Sequence, residues 1–280
     1  MPMAAIAAER VGYALDVDLD CVGAVHSVFS RAVNLEIEGE MWTLLASDCA
    51  DLPFGIRLPV RSLDAFAIRV GGCVHARAGF IGLGRPGRRL VVDCRAAPRW
   101  PPVSPFSLAS GFPARLALLS QEATALAWRG SRPMARLATS ALQRGAGALD
   151  DALTGIIGRG PGLTPAGDDV LVGILAVLCS PLSGTAGAEA AQAMLRAIRR
   201  LAPRTTALSG HMLSQAARGL IGRALHELLA ALTGCAVAVE LEGAIRRVVK
   251  AGATSGADAC MGVLEAAQAF LLSGAYETAA

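Results

Sequence analysis

The sequence predicts an α+β protein, with a small β-barrel-like domain over residues 1–112 followed by an α-helical domain over residues 113–280. Three observations carry that expectation. The first third holds short runs of alternating apolar and polar residues punctuated by Gly and Pro. The stretch Arg99-Trp-Pro-Pro-Val-Ser-Pro105 then stops both helix and ladder, as a linker would. Beyond it, apolar positions recur at helical spacing.

In the first part, Val33-Asn-Leu-Glu-Ile-Glu38 alternates apolar and polar residues, Gly39-Glu40 can turn the chain, and Met41-Trp-Thr-Leu-Leu45 returns as the second arm of a hairpin. Residues 56–58, 66–70, 74–80 and 90–94 are further β-type runs, with Gly82-Leu-Gly-Arg-Pro-Gly87 breaking the chain between the last two. Short strands at such spacing suggest a small barrel or curled sheet. In the second part, helices are expected over residues 114–129, 133–144, 165–179, 186–201, 205–232, 237–251 and 256–272. Leu195, Ile198, Leu201 and Ala202 form one apolar face opposite Arg196, Arg199 and Arg200. Abundant Ala and Gly let such helices approach closely.

The composition excludes several classes. With 280 residues, 53% hydrophobic and 18% charged, the chain is too apolar for disorder and long enough for a sizeable core. Its mean hydropathy of +0.47 suggests a membrane protein. The best apolar runs, residues 170–179 and 228–239, nevertheless fall short of the roughly 20 residues a helical span needs. The N-terminus has no basic leader before Glu9 and Arg10, so no signal peptide is read there. The expectation is a cytoplasmic protein without a membrane partner. The first 112 residues carry 11 basic and 11 acidic side chains and the remainder 15 and 12. With no basic stripe, nucleic acid is not an expected partner. The seven cysteines are scattered without a CxxC pair, which argues against a disulfide framework or a zinc site.

The chemistry concentrates in three segments. In Gly158-Arg-Gly-Pro-Gly-Leu-Thr-Pro-Ala-Gly-Asp-Asp169 a glycine-rich loop opens a helix, with Thr164 as N-cap and Pro165 in the first helical position. Backbone amides at Gly160, Gly162 and Gly167, the helix dipole and the planar guanidinium of Arg159 favour a bound anion. Asp168 and Asp169 lie about 100° apart around the helix. They are candidates for catalysis, either holding a Mg²⁺-type ion or with one acting as base. Acidic residues in a first turn also stabilise the dipole by about 0.3–1 kcal/mol with no function at all.

The second segment, Lys250-Ala-Gly-Ala-Thr-Ser-Gly-Ala-Asp258, offers Thr254, Ser255, Gly256 and Asp258 as a further cradle, with Ser255 and Asp258 in a capping pattern. In the third, Arg204-Thr-Thr-Ala-Leu-Ser-Gly-His211, Thr205 can cap a helix and stands with Thr206 and Ser209 among the binding candidates. His211 falls about 200° from Ser209, so the two make no nucleophile–base pair on one helix. His211 is a third catalytic candidate, although a lone helical histidine is more often a structural hydrogen-bonder.

These segments, together with Val25-His-Ser-Val-Phe-Ser-Arg-Ala-Val-Asn-Leu35, resemble a bacterial family long filed as a domain of unknown function. It is the family of the oxamate carbamoyltransferase subunit encoded in anaerobic allantoin-utilisation operons. The resemblance covers nearly the whole chain and rests most on Gly-Leu-Thr-Pro-x-Gly-Asp-Asp. It implies a role in purine and allantoin degradation: oxalurate plus phosphate giving oxamate plus carbamoyl phosphate, or the reverse. It also implies two partner subunits, one resembling an acyl-CoA synthetase. On the residues themselves, 159–162 suit phosphate, and Thr254 to Gly256 suit the substrate carboxylate or carbonyl. Asp168 or Asp169 suits a metal or the proton of the leaving amide. Two other readings stay open. One is a metal-dependent hydrolase with helix-borne Asp ligands. The other is a non-catalytic scaffold or regulatory subunit that binds an anionic metabolite.

Overall fold

The computed structural model describes residues 5–84, 90–100, 108–125, 130–180, 183–234 and 238–270. The chain forms two compact units, Met1–Val103 and Ser104–Ala280.

The first unit is a curled sheet of β1 (Ile6–Ala7), β2 (Arg10–Val11), β3 (Cys21–Val28), β4 (Ala32–Ile37), β5 (Glu40–Leu45), β6 (Gly55–Arg57), β7 (Cys73–Arg77), β8 (Phe80–Leu83) and β9 (Leu90–Asp93). The strand order is β1-β9-β8-β7-β3-β4-β5-β6-β2. Its two end strands are halves of one short segment, because only Ala8 and Glu9 separate β1 from β2. Ala8 N donates to Asp93 O at 2.8 Å and Glu9 N to Arg57 O at 2.8 Å, so this segment draws both edges of the sheet together. The architecture is thus the barrel-like one expected. Alternation sends Val33, Leu35, Ile37, Trp42, Leu44, Ile56, Val74, Ile81 and Val92 into one interior cluster. The register that pairs Leu35 with Trp42 and Val33 with Leu44 stacks these side chains.

On the opposite face of β3–β5 a polar chain is buried. Asn34 Nδ2 donates to Ser27 Oγ at 2.8 Å, and Thr43 Oγ1 donates to Asn34 Oδ1 at 2.9 Å.

The sheet departs from the expectation at several points. The hairpin turn is Glu38-Gly39, both at positive φ (51° and 79°), one residue earlier than expected, because a tight turn of this hand needs both central residues left-handed. Residues 66–70 form no strand: a short 3-10 helix at Asp64–Phe66 ends on Ala67 with φ 47°, which breaks the extended path. The run 74–80 is two strands, β7 and β8, folded at Ala78-Gly79 (φ 48° and 79°). β3, paired with both β4 and β7, lacks a clean alternation, and its register shifts between Val25 and Ser27. Residues 85–87 of the glycine-rich break and 101–105 of the proline stretch lie outside the described residues.

The second unit is helical: α1 (Phe112–Ala125), α2 (Arg132–Arg144), α3 (Ala146–Ile156), α4 (Ala166–Leu178), α5 (Gly184–Leu201), α6 (Ala207–Ala216), α7 (Arg223–Thr233), α8 (Ala238–Val249) and α9 (Ser255–Phe270). α4 is buried along its whole length from Gly167 to Leu178, and α9 is buried from Asp258 to Ala267. The two touch through glycine. A Cβ on Gly173 would lie 2.0 Å from Ala259 O, and one on Gly262 2.1 Å from Val170 O. This crossing, residues 170–173 against 259–262, lies on the C-terminal side of the Thr164–Ser255 contact described below in both segments, so α4 and α9 run in the same direction and open at the same end.

The expected helix 205–232 is broken into α6 and α7, with Gly219 at φ 77° between them. α3 was not expected, although Leu149, Ala152, Leu153 and Ile156 form its buried face. The expected helix ends at 126–129, 237 and 271–272 lie outside the described residues. Among the described residues no helix is long and apolar enough to cross a membrane.

Candidate functional site

The loop from α3 to α4 passes through Gly158, Gly160 and Gly162, at φ 75°, 124° and 91°. Pro165, extended at ψ 142°, takes the N-cap position of α4. Its carbonyl accepts from Asp168 N at 2.9 Å and Asp169 N at 3.1 Å. Thr164 is therefore not the cap, and Pro165 precedes the first helical residue. Thr164 stands one residue before the cap position, and its side chain turns to another element. Its hydroxyl instead shares a 2.8 Å hydrogen bond with Ser255 Oγ, at the start of α9. The two glycine-lined helix openings thus meet, although 91 positions separate these residues.

The start of α6 joins the same place. A Cβ on Gly158 would fall 2.1 Å from Arg204 O, so the loop and the entry to α6 lie backbone to backbone. Thr206, not Thr205, caps α6: its Oγ1 accepts from Ser209 N at 3.1 Å and donates to Leu163 O at 2.5 Å. The Thr205 hydroxyl donates to Asp168 Oδ2. Ser255, expected as a cap, opens α9, and Asp258 N donates to Thr254 O at 3.0 Å.

The neighbouring carboxylates at the start of α4 have opposite surroundings. Asp168 is fully buried, and both its oxygens are engaged. Oδ1 accepts from Gly158 N at 2.9 Å, and Oδ2 accepts from Ser209 Oγ at 2.7 Å and from Thr205. Asp168 therefore ties the loop, α4 and α6 together. Asp169 is 4% exposed and sits against the hydroxyl pair of Ser255 and Thr164. Burial pushes its carboxyl up to about 7, against the Ser255 hydrogen bond and aided by the charge of Asp258. Asp258 is 9% exposed. Burial raises its carboxyl as well, while the hydroxyls of Ser131 and Thr254 donate to it. Asp169 Oδ2 and Asp258 Oδ2 are both buried without a hydrogen-bond partner.

Several of the amides expected to cradle an anion are already used. Gly167 N donates to Arg159 O at 2.9 Å and Gly256 N to Ala251 O at 3.0 Å. Gly256 itself is a packing glycine, since a Cβ there would lie 1.8 Å from Val248 O. Gly160, Gly162, Thr254 and the side chains of Arg159 and Arg204 lie on the exposed lip of the site. His211 is half-buried on α6, and the hydrogen bonds holding Asp168 run through Thr205 and Ser209 instead.

A metal on Asp168 and Asp169 does not fit these surroundings. Both oxygens of Asp168 are taken up by the protein's own donors. Among the described residues no group of three or more His, Cys, Asp or Glu side chains could hold an ion.

Sequence reasoning missed Ser131, which precedes α2 and reaches Asp258, and gave Arg204 no role. Nothing local marks either one. Arg204 stands beside the expected cap Thr205, and its nearness to Gly158 is tertiary.

Two family models match. That of the AllH family N-terminal domain covers residues 5–99, and that described as oxamate carbamoyltransferase subunit AllH covers residues 156–267. The second holds the starts of α4, α6 and α9, with Asp168, Asp169 and Asp258. No curated protein and no solved structure matches the chain. The two models together span most of the sequence and both units, and the chain belongs to the AllH family, whose name is that of an oxamate carbamoyltransferase subunit.

Proposed function

We propose that this chain acts within a multi-subunit carbamoyltransferase and holds the reactants where α4, α6 and α9 open together. The reaction is oxalurate plus phosphate giving oxamate plus carbamoyl phosphate, or its reverse. A phosphate oxygen attacks the ureido carbonyl, the bond to the oxamate nitrogen breaks, and that nitrogen takes up the proton phosphate gives up. Asp169 is the group that carries this proton. One observation supports the assignment: a carboxyl pushed to about 7, with one buried oxygen free, at the junction of two helix openings. A group titrating near the working pH both gives and takes a proton efficiently, worth about 10²–10⁴-fold in rate.

The remaining roles follow from position. Arg159 and Arg204, exposed beside the loop, are the cations for phosphate, with Gly160 and Gly162 letting it approach the backbone. Thr164, Ser255 and Thr254 orient the carboxyls and face the carbonyl of the substrate. Asp168, Thr205, Thr206 and Ser209 hold the three helix starts in place. Partner subunits, one of them acyl-CoA-synthetase-like, complete the enzyme, and the assembly works in the cytoplasm.

The decisive experiment compares Asp169→Asn with Asp168→Asn in the complex reconstituted with its partner subunits. Asp169→Asn is expected to lower turnover at least about 100-fold with its melting curve intact. Asp168→Asn is expected to act mainly through stability. Wild-type turnover in a folded Asp169→Asn complex would sink the assignment.

A further inference from the structure

Asp169 leaves unexplained the second orphan at this site. Asp258 sits in the first turn of α9, is 9% exposed, and has Oδ2 buried with no partner. The hydroxyls of Ser131 and Thr254 hold its carboxyl, so its direction is fixed by two elements, the approach to α2 and the approach to α9. A buried acceptor without a donor costs about 1–3 kcal/mol. Among the parts of the two reactants, a group that brings a hydrogen removes this cost.

That requirement selects among the parts of the reactants. A fully ionised phosphate and a carboxylate offer acceptors only, and placing either against Asp258 sets like charges together. The carbamoyl carbon, by contrast, carries an –NH₂ whose two N–H groups are donors. Asp169 is already assigned to the leaving nitrogen. Given carbamoyl transfer as proposed above, we infer that Asp258 accepts from the terminal –NH₂ of the carbamoyl group and so selects carbamoyl donors over acyl donors that carry a methyl in its place. The site then has two poles. Arginines on the exposed lip take the anionic end, and the buried carboxylates take the amide end. A carboxylate left facing a methyl keeps its full desolvation cost, and sites built to bond a substrate N–H discriminate strongly against analogues lacking it.

The test uses two stable probes that differ only there, phosphonoacetamide and acetonylphosphonate, titrated calorimetrically into the full chain assembled with its partner subunits, with oxalurate as reference. Wild type is expected to prefer the carboxamide by at least about 30-fold. Asp258→Ala is expected to bring the ratio below about 3-fold. Asp258→Asn, which keeps one acceptor, guards against a folding defect in the alanine variant and is expected to give an intermediate ratio. Equal affinities in wild type, with oxalurate still bound, would overturn the role of Asp258 and leave carbamoyl transfer standing. A preference that survives in both folded variants would do the same. If neither probe nor oxalurate binds, the carbamoyl-transfer reading itself falls.

Discussion

Each unit of the protein buries a small polar cluster, and the two are built to opposite rules. In the β unit, Ser27, Asn34 and Thr43 form a closed chain: both ends of the Asn34 amide are used, at 2.8 and 2.9 Å. In the helical unit, Asp168 is equally well served, yet Asp169 and Asp258 each keep a buried oxygen unpaired. A satisfied network fixes register and packing, while an unsatisfied one is a standing cost that folding alone does not repay. The difference separates side chains whose bonding capacity is used up within the fold from side chains that keep some of it unused.

The largest effect that would sharpen this contrast is a pH dependence. Unfolded, the Asp169 carboxyl titrates near 3.8, and folded it titrates at about 7. Between those values folding takes up a proton, so the contribution is fully present below about pH 4 and is lost as pH rises to 7. The loss amounts to at most about 4 kcal/mol. Urea midpoints are expected to fall across that window in wild type and to fall less steeply in Asp169→Asn, where the raised Asp258 carboxyl still contributes. A wild-type curve that rises there would break the comparison.

Next comes Asp168→Ala, which strips the acceptor from Gly158 N, Ser209 and Thr205 together. A loss of about 3 kcal/mol is expected from chemical denaturation, with α6 losing hydrogen-exchange protection first. Asn34→Ala leaves Ser27 and Thr43 without their partner and is expected to cost about 2 kcal/mol in the β unit, with ligand affinity at the helical site unchanged. A changed affinity would show that the β-unit cluster is no mere structural tie. The smallest effect is that of Thr206→Ala, which removes the cap of α6 for about 1 kcal/mol. Calorimetric melting would check it, and a much larger loss would mean that its bond to Leu163 carries more than a cap.

Much of the fold was legible because its signals are local. The β4–β5 hairpin shows its period of two in residues 33–45, and the α4 motif announces a helix start by Pro165 and two adjacent carboxylates. β3 was hidden because Gly23, His26 and Ser27 interrupt its apolar run and a register shift follows. Residues 205–232 looked continuous because Gly219 and Gly222 sit within an otherwise helical composition. At the site, the residue types were legible, while the cap positions were not. Pro165, Thr206 and Thr254 stand where Thr164, Thr205 and Ser255 were expected to start their helices, since each of the latter spends its hydroxyl on a neighbouring element instead.

By itself the sequence determined the two kinds of architecture, the helix openings and which carboxylates stand at them, because periodicity, proline and glycine act within a few residues. Only the tertiary structure decided which carboxylate is paired and which is open. Adjacent residues on a helix point about 100° apart. Asp168 therefore turns toward α6 and its hydroxyls, while Asp169 turns toward α9. That parallel helix is drawn close because Gly173 and Gly262 leave room for the neighbouring backbone.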